Sequence, residues 1–343
     1  MNQAHTIDAM QVSQAATKTF NGFITAYATF AVWQVGLLDA IQECGSVNIE
    51  SFAKDKNLNA QVLHCLCDVF VASKLFRNTA GAYGLTSEGE RFVEDVGPII
   101  WAVGGYGAVL ADLGKLTSGT HTYGCDIRRD DSYVVRGSAI AARRYVLPHI
   151  YSSLDAVDPG YLVDLGCGSG RLLVDLCKRF PKLQGLGVDI SEQACHAAQE
   201  NVAREKMSDR IEIIRASCQS YVATHDFESA LRSDGKPLVI TCLFMMHDLM
   251  ADWSGTVHLL AGIRNMFKRA GAGIMLIADD VKTEFDDFDE PPLFSLGFAL
   301  THAIMGVKLW TKSEYVDLFA EAGLNVSRVA SLRRPSTWLY VLQ

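Results

Sequence analysis

Two short stretches of this 343-residue chain concentrate the residue types that do chemistry. The first is Asp164-Leu165-Gly166-Cys167-Gly168-Ser169-Gly170. Glycines allow a sharp turn and let a ligand approach the backbone closely. A turn of this kind between a strand and a helix lies where open α/β sheets bind ligands. Asp189 closes a second apolar run, Leu186-Gly187-Val188-Asp189, and a carboxylate there can take both hydroxyls of a ribose. The competing dinucleotide fingerprint G-x-G-x-x-G asks for Gly or Ala where this chain has Arg171. The second stretch is Phe244-Met245-Met246-His247-Asp248-Leu249. A His at the carboxyl end of a strand is placed for proton transfer or metal binding. Its plainer alternative is a His-Asp pair that only holds a loop. His5, His64, His149, His196, His225 and His258 lack such placement and read as surface or packing residues.

The elements that must position these groups follow from periodicity. From Pro159-Gly160 onward, strand and helix signals alternate. Strands are expected at 161–164, 186–189, 211–214, 238–242, 274–278 and 338–342, with helices between them and a last helix near 313–322. Alternating β and α units imply a parallel sheet covered on both faces. Upstream, Phe20 to Ile41 is apolar on nearly every helical face, and such a helix must be buried on all sides. In a small leading domain that calls for a second subunit. Helices near 49–55 and 60–73 and a hairpin around Thr79-Ala80-Gly81 then give the pattern of a winged helix. A Gly-rich apolar region covers Pro98 to Gly119, and a helical linker is expected from Tyr133 to Leu154. The expected organisation is residues 1–132 as a mostly helical winged-helix dimerisation and lid domain, 133–158 as linker, and 159–343 as an α/β domain.

Bulk properties narrow the classes. The chain is 49% hydrophobic with net charge −8, so it can bury a large core. It has no long Lys/Arg run, and the helix at 60–73 carries only Lys74 at its end with Asp68 inside. It therefore lacks the basic footprint of a DNA-binding regulator, and no nucleic-acid partner is expected. None of the nine cysteines forms a Cys-x-x-Cys pair, and most sit among apolar residues as small hydrophobes. A reduced, cytoplasmic chain with no membrane span is the expectation.

Asp164, the glycine turn and Asp189 together resemble the class I S-adenosylmethionine methyltransferases over about residues 160–343. The resemblance implies a Rossmann-like, seven-stranded sheet. It places the methionine part of S-adenosyl-L-methionine on Gly166, Gly168 and Gly170, and its ribose on Asp189. Many relatives carry an acidic residue after the third strand. This chain reads Ala216-Ser217-Cys218-Gln219 there, so Ser217, Cys218 and Gln219 are the candidate adenine contacts. With the leading domain, His247-Asp248 resembles the dimeric small-molecule O-methyltransferases, where the matching His is the general base. Asp279-Asp280 and the run from Trp310 to Leu324 fit that family also.

Phe298-Ala299-Leu300-Thr301-His302 suits a narrower branch, the metal-dependent 2-oxo acid C-methyltransferases, which include a phenylpyruvate C3-methylating enzyme. That resemblance implies that His247 and His302 hold one iron or zinc ion, for which imidazole is a suitable ligand. The ion would polarise the ketone of a 2-oxo acid, easing loss of a C3 proton. Asp248 is then expected to orient His247 or to accept a hydrogen bond beside it. Arg128, Arg129, Arg136 and Arg143 are candidate counter-charges for the carboxylate, against ordinary surface charge. Trp101 is a candidate pocket wall, against core packing. The run Glu284-Phe285-Asp286-Asp287-Phe288-Asp289-Glu290 is either a solvated loop or a site for a flat cation. In the second case Asp286 and Asp287 would bind a guanidinium tail. A 2-ketoarginine methyltransferase is known in this branch, and 2-ketoarginine (5-guanidino-2-oxopentanoate) is the expected substrate. A metal-free O-methyltransferase using His247 as base stays open beside it.

Overall fold

The computed structural model describes residues 13–224, 236–283, 292–332 and 336–343. They fall into two compact units, Met1–Ala141 and Ala142–Gln343.

The first unit opens with helices Gln14–Gln34 and Leu37–Cys44. The single helix expected over Phe20–Ile41 is broken at Gly36, whose φ of 77° an L side chain rarely adopts, and the two halves bend by 73°. Leu37, Leu38 and Ile41 are buried. Phe20, Phe23 and Tyr27 are instead 66%, 57% and 45% exposed, so one chain does not bury this helix on all sides. Helices Ile49–Lys56 and Ala60–Ala72 each begin at an asparagine cap. The side-chain oxygens of Asn48 and Asn59 accept from the Ser51 and Val62 N–H groups, satisfying donors that a helix start leaves open. Strands β1 (Val47–Asn48), β2 (Phe76–Thr79) and β3 (Ala82–Leu85) pair antiparallel in the order β1-β3-β2. Glycine explains one close crossing. A Cβ on Gly137 would lie 2.6 Å from the Gly97 carbonyl oxygen and 2.7 Å from Trp101 Cβ.

The expected linker helix is two helices, Asp131–Tyr145 and Leu147–Asp155. Pro148 sits at the start of the second, where its missing N–H is tolerated but a continuous helix is not. The division between units falls inside the first of these helices.

The second unit is an α/β sheet of seven strands: β4 (Tyr161–Leu165), β5 (Gln184–Asp189), β6 (Ile211–Arg215), β7 (Leu238–Leu243), β8 (Gly273–Asp280), β9 (Val326–Ser331) and β10 (Thr337–Leu342). Their order is β6-β5-β4-β7-β8-β10-β9. The strands β4 to β8 run parallel, and β10 is antiparallel to both of its neighbours. A wholly parallel sheet is thus corrected at its far edge: β9, unread in the sequence, precedes β10 without an intervening helix, and strands joined so directly pair antiparallel. Alternation assigns each face. Tyr161, Val163 and Leu165 enter one core with helices Trp253–Ala270 and Lys312–Glu321. Leu162 enters the other with helices Leu147–Asp155 and Arg171–Arg179. Strand order reverses between β4 and β7, which opens a crevice at their carboxyl ends. Both chemical stretches read from the sequence lie at those ends. Among the described residues no single helix is long and apolar enough to cross a membrane.

Candidate functional site

On the β4 side of the crevice, Gly166, Gly168 and Gly170 all have positive φ, at 73°, 53° and 68°. A Cβ on Gly166 would meet Met245 Sδ at 2.5 Å, whereas one on Gly168 would enter open space. Of the three glycines of the turn, Gly168 is the one whose Cα faces open space. Asp189 is held ready beside it. Its Oδ2 accepts from the Gly168 N–H at 3.0 Å and its Oδ1 from the Ser191 N–H at 2.9 Å. Each oxygen keeps a further lone pair for a ligand hydroxyl. The Ala216 N–H donates to the Asp189 carbonyl at 3.0 Å, which brings the turn at Ser217 and Cys218 alongside. Cys218 is buried and begins the helix Cys218–Thr224. The Ser217 hydroxyl accepts from the Ser220 N–H. Asp164 is 4% exposed, and its Oδ1 accepts from Thr241 Oγ1 at 2.7 Å. Burial, and secondarily the Asp189 charge, push its carboxyl up to about 7 against the pull of the Thr241 bond.

On the β7 side, the chain turns through Phe244, a non-glycine residue at φ 55°. Strained backbone of this kind concentrates at functional sites. The short helix Met246–Leu249 then presents His247, which is 6% exposed. Asp279, near the end of β8 and fully buried, grips it twice. Its Oδ2 accepts from the His247 backbone N–H at 2.8 Å, and its Oδ1 lies 2.7 Å from His247 Nδ1. Trp310 Nε1 donates to the His247 carbonyl at 3.3 Å. Asp248, expected to orient the ring, is exposed, with Oδ1 3.6 Å from His247 Nε2. The orienting carboxylate is Asp279 instead. Position in the sequence hides this, because Asp279 is 32 residues away and reads there only as half of an Asp-Asp pair. Burial alone would lower the His247 pKa, but Asp279, with smaller help from Asp248 and Asp280, raises it to about 9.

His302, 5% exposed, comes from helix Ser295–Met305. Its ring centroid is 5.2 Å from that of His247 at an interplanar angle of 73°. Its Nδ1 lies 2.7 Å from the Phe298 carbonyl oxygen, so this nitrogen carries the proton in the neutral ring. Phe298 lies tilted against His302 at 3.9 Å, meets His247 edge-on at 5.8 Å and reaches Phe294 at 5.3 Å. The two histidines are thus brought together, each with Nδ1 turned to an oxygen of the protein. That arrangement is typical of metal-ligating imidazoles, whose outer partners fix tautomer and orientation. Among the described residues no group of three or more His, Cys, Asp or Glu side chains could hold a metal. Two imidazoles alone leave most positions around an ion to be filled from elsewhere.

Residues 162–271 match the family described as a methyltransferase domain. Two curated relatives match over nearly the full chain. Methyltransferase ungE' of Aspergillus campestris is 26% identical over 319 residues, covering 89% of this chain and 90% of the relative. Indolepyruvate C-methyltransferase of Streptomyces griseus is 26% identical over 339 residues, covering 96% and 94%. The chain is an S-adenosylmethionine-dependent methyltransferase. Its fold is that of the pyocyanin biosynthetic protein PhzM, with a TM-score of 0.65 at 19% identity, covering 96% of this methyltransferase and 98% of PhzM.

The remaining candidates lie in the first unit of the methyltransferase, at Arg143 in the second, or outside the described residues. Arg129 donates through Nη1 to the Tyr106 hydroxyl at 2.8 Å and pairs with Asp131 at 2.6 Å. Its charge is already answered locally. Arg128 donates to the Gly124 carbonyl at 2.5 Å, and Arg136 lies over the Tyr133 ring at 5.8 Å. Trp101 is buried against Tyr106, with centroids 4.3 Å apart. Arg143, in the second unit, lines an outer groove with Tyr151 and Arg171. The acidic run containing Asp286 and Asp287 lies outside the described residues.

Proposed function

We propose that this methyltransferase transfers the methyl group of S-adenosylmethionine to C3 of a 2-oxo acid. The observation that carries this reading is the His247–His302 pair at the crevice. An O-methyltransferase base needs one imidazole, and a second ring set edge-on to it is unexplained. The similarity to a C-methyltransferase of indolepyruvate along the whole chain supports the same reading. The Gly166–Gly170 turn and Asp189 would hold the cofactor, with Ser217 and Cys218 beside the adenine. His247 and His302 would hold one iron or zinc ion, which would supply Lewis acidity toward the ketone. Asp279 fixes the His247 ring and its tautomer, and the Phe298 carbonyl does the same for His302. The C3 proton passes to water, and its bonding pair leaves C3 as the nucleophilic end of an enolate. The C3–CH3 bond then forms as the S–CH3 bond breaks, and S-adenosylhomocysteine leaves.

The His247 pKa bears on the alternative. A ring protonated up to about pH 9 is a poor general base at neutral pH, whereas a cation bound at Nε2 displaces that proton. The tail of the substrate divides two further readings. Phe298 and Phe294 form an aromatic wall beside the histidines, which favours a flat aromatic tail. The guanidinium tail of 2-ketoarginine rests on the acidic run at 284–290. Protein purified without added metal should contain about one metal per chain by elemental analysis. Mass spectrometry of reactions with phenylpyruvate, indolepyruvate and 2-ketoarginine should show a gain of one methyl on a carbon. Full activity in a chelator with no metal detected would return the assignment to an O-methyltransferase. We also propose that the protein works as a homodimer, with the exposed aromatic face of Phe20, Phe23 and Tyr27 as contact.

A further inference from the structure

The base of the cofactor turn holds a carboxyl group with too few partners for its burial. Asp164 is the last residue but one of β4, a strand buried along its whole length, and is itself 4% exposed. Among the described residues its carboxyl receives one hydrogen bond, from Thr241. An ionised carboxylate so deep normally gathers two or three donors or a cation.

The groups around it make ionisation harder. Asp189 acts on it from the end of β5, and its own oxygens accept from two backbone N–H groups. Cys167 in the glycine turn, Cys218 at the start of helix Cys218–Thr224 and Cys242 on β7 lie near enough to feel its charge in turn. Burial pushes all three thiols up, Cys218 to about 11, so they stay neutral near pH 7. Among the groups named, none is a cation. Two carboxyl groups sharing one small site cannot both ionise cheaply. Here Asp189 has the donors and Asp164 does not.

S-adenosylmethionine brings what the site lacks. Its methionine part carries two positive charges, the sulfonium and the ammonium, and the turn after Asp164 is where the proposed cofactor site holds that part. We propose that cofactor binding expels a proton from Asp164, so that affinity for S-adenosylmethionine rises with pH up to neutrality and then levels. The proton leaves to solvent and the ligand's cations take its place beside the carboxylate. This rests on the cofactor site proposed above.

Titration calorimetry of the full chain with S-adenosylmethionine, in buffers of different ionisation enthalpy, reads the proton directly. At about pH 6 the ligand's amine is fully protonated, and wild type should release more than about half a proton per cofactor bound. Below neutrality the dissociation constant should fall by up to about tenfold per pH unit. S-adenosylhomocysteine, which lacks the sulfonium charge, should release less. Asp164→Asn should abolish the release and flatten the pH dependence. Thr241→Val removes the one bond that favours the anion, and it should move the midpoint of the pH dependence upward. That arm tests the inference even if the Asn variant does not fold. Wild type binding the cofactor with no proton released, or a midpoint that Thr241→Val leaves unmoved, overturns the proposal. A cofactor affinity unchanged by Asp189→Ala instead overturns the site reading beneath it.

Discussion

The two sides of the crevice are built by opposite strategies. On the β4 side, residues 164–170 and Asp189 come from one strand-turn-helix-strand unit, and the backbone does most of the work through glycine conformations and N–H groups. On the β7 side, His247, Asp279, His302 and Trp310 come from four separate elements, and side chains do the work. A contiguous, backbone-built site tolerates few changes of shape. A dispersed, side-chain-built site can change its chemistry one residue at a time, while the cofactor stays the same. The substrate half is therefore where relatives with one fold should differ.

The largest effect should fall on the backbone-built side. Gly168→Val places a side chain in the space left for the cofactor and strains a positive φ. It should abolish detectable S-adenosylmethionine binding, by calorimetry, while circular dichroism stays native. On the side-chain-built side, His247→Ala should lower kcat by about 100-fold or more. Its cofactor affinity should stay within about twofold of wild type, and a joint loss would mean that the two sides are not separate. Asp279→Asn keeps the shape but cannot hold His247 in the same way. A drop in metal affinity or turnover of about 10–100-fold is expected. Asp189→Ala should weaken cofactor binding by about 1.5–3 kcal/mol, the range for a charged hydrogen bond.

The smallest effect is on stability against pH. His247 has a folded pKa raised to about 9, above its unfolded value of about 6.5. Its pairing with Asp279 therefore stabilises the fold fully below about pH 6.5 and is lost as pH rises through about 9. Asp164, raised to about 7, adds a loss of stability between about pH 4 and 7, because the unfolded chain ionises first. The melting temperature of the ligand-free, metal-free protein should thus fall from about pH 6 to 9, and His247→Gln should flatten the alkaline part. A wild-type curve as flat as that of the variant would show that the His247–Asp279 pair does not form.

The same contrast explains how much the sequence discloses. The glycine turn, Asp189 and most strands of the second unit are legible because contiguous motifs and period-two burial are local signals. His247 and His302 are legible as candidates, but their pairing rests on family resemblance. The partner of His247 is not legible: Asp248 is its neighbour in sequence, while Asp279 is its neighbour across two parallel strands. Gly36 and Pro148 carry the signals that break the long helices, and a reading led by apolar periodicity passes over them. Strand β9 is short of apolar residues, being an edge, and so its pattern is weak.

Trp310 joins its indole N–H to the carbonyl of His247, lies tilted against Trp253 with ring centres 5.7 Å apart and carries the Lys308 ammonium 3.7 Å from its ring centre. Indole emission responds to nearby charge and to small shifts of its surroundings. The acceptor side of the crevice thus contains its own optical gauge. Titrating a metal ion or a 2-oxo acid while watching tryptophan fluorescence would report events at His247 without a label. Replacing Trp310 by Phe would identify which part of the signal comes from there.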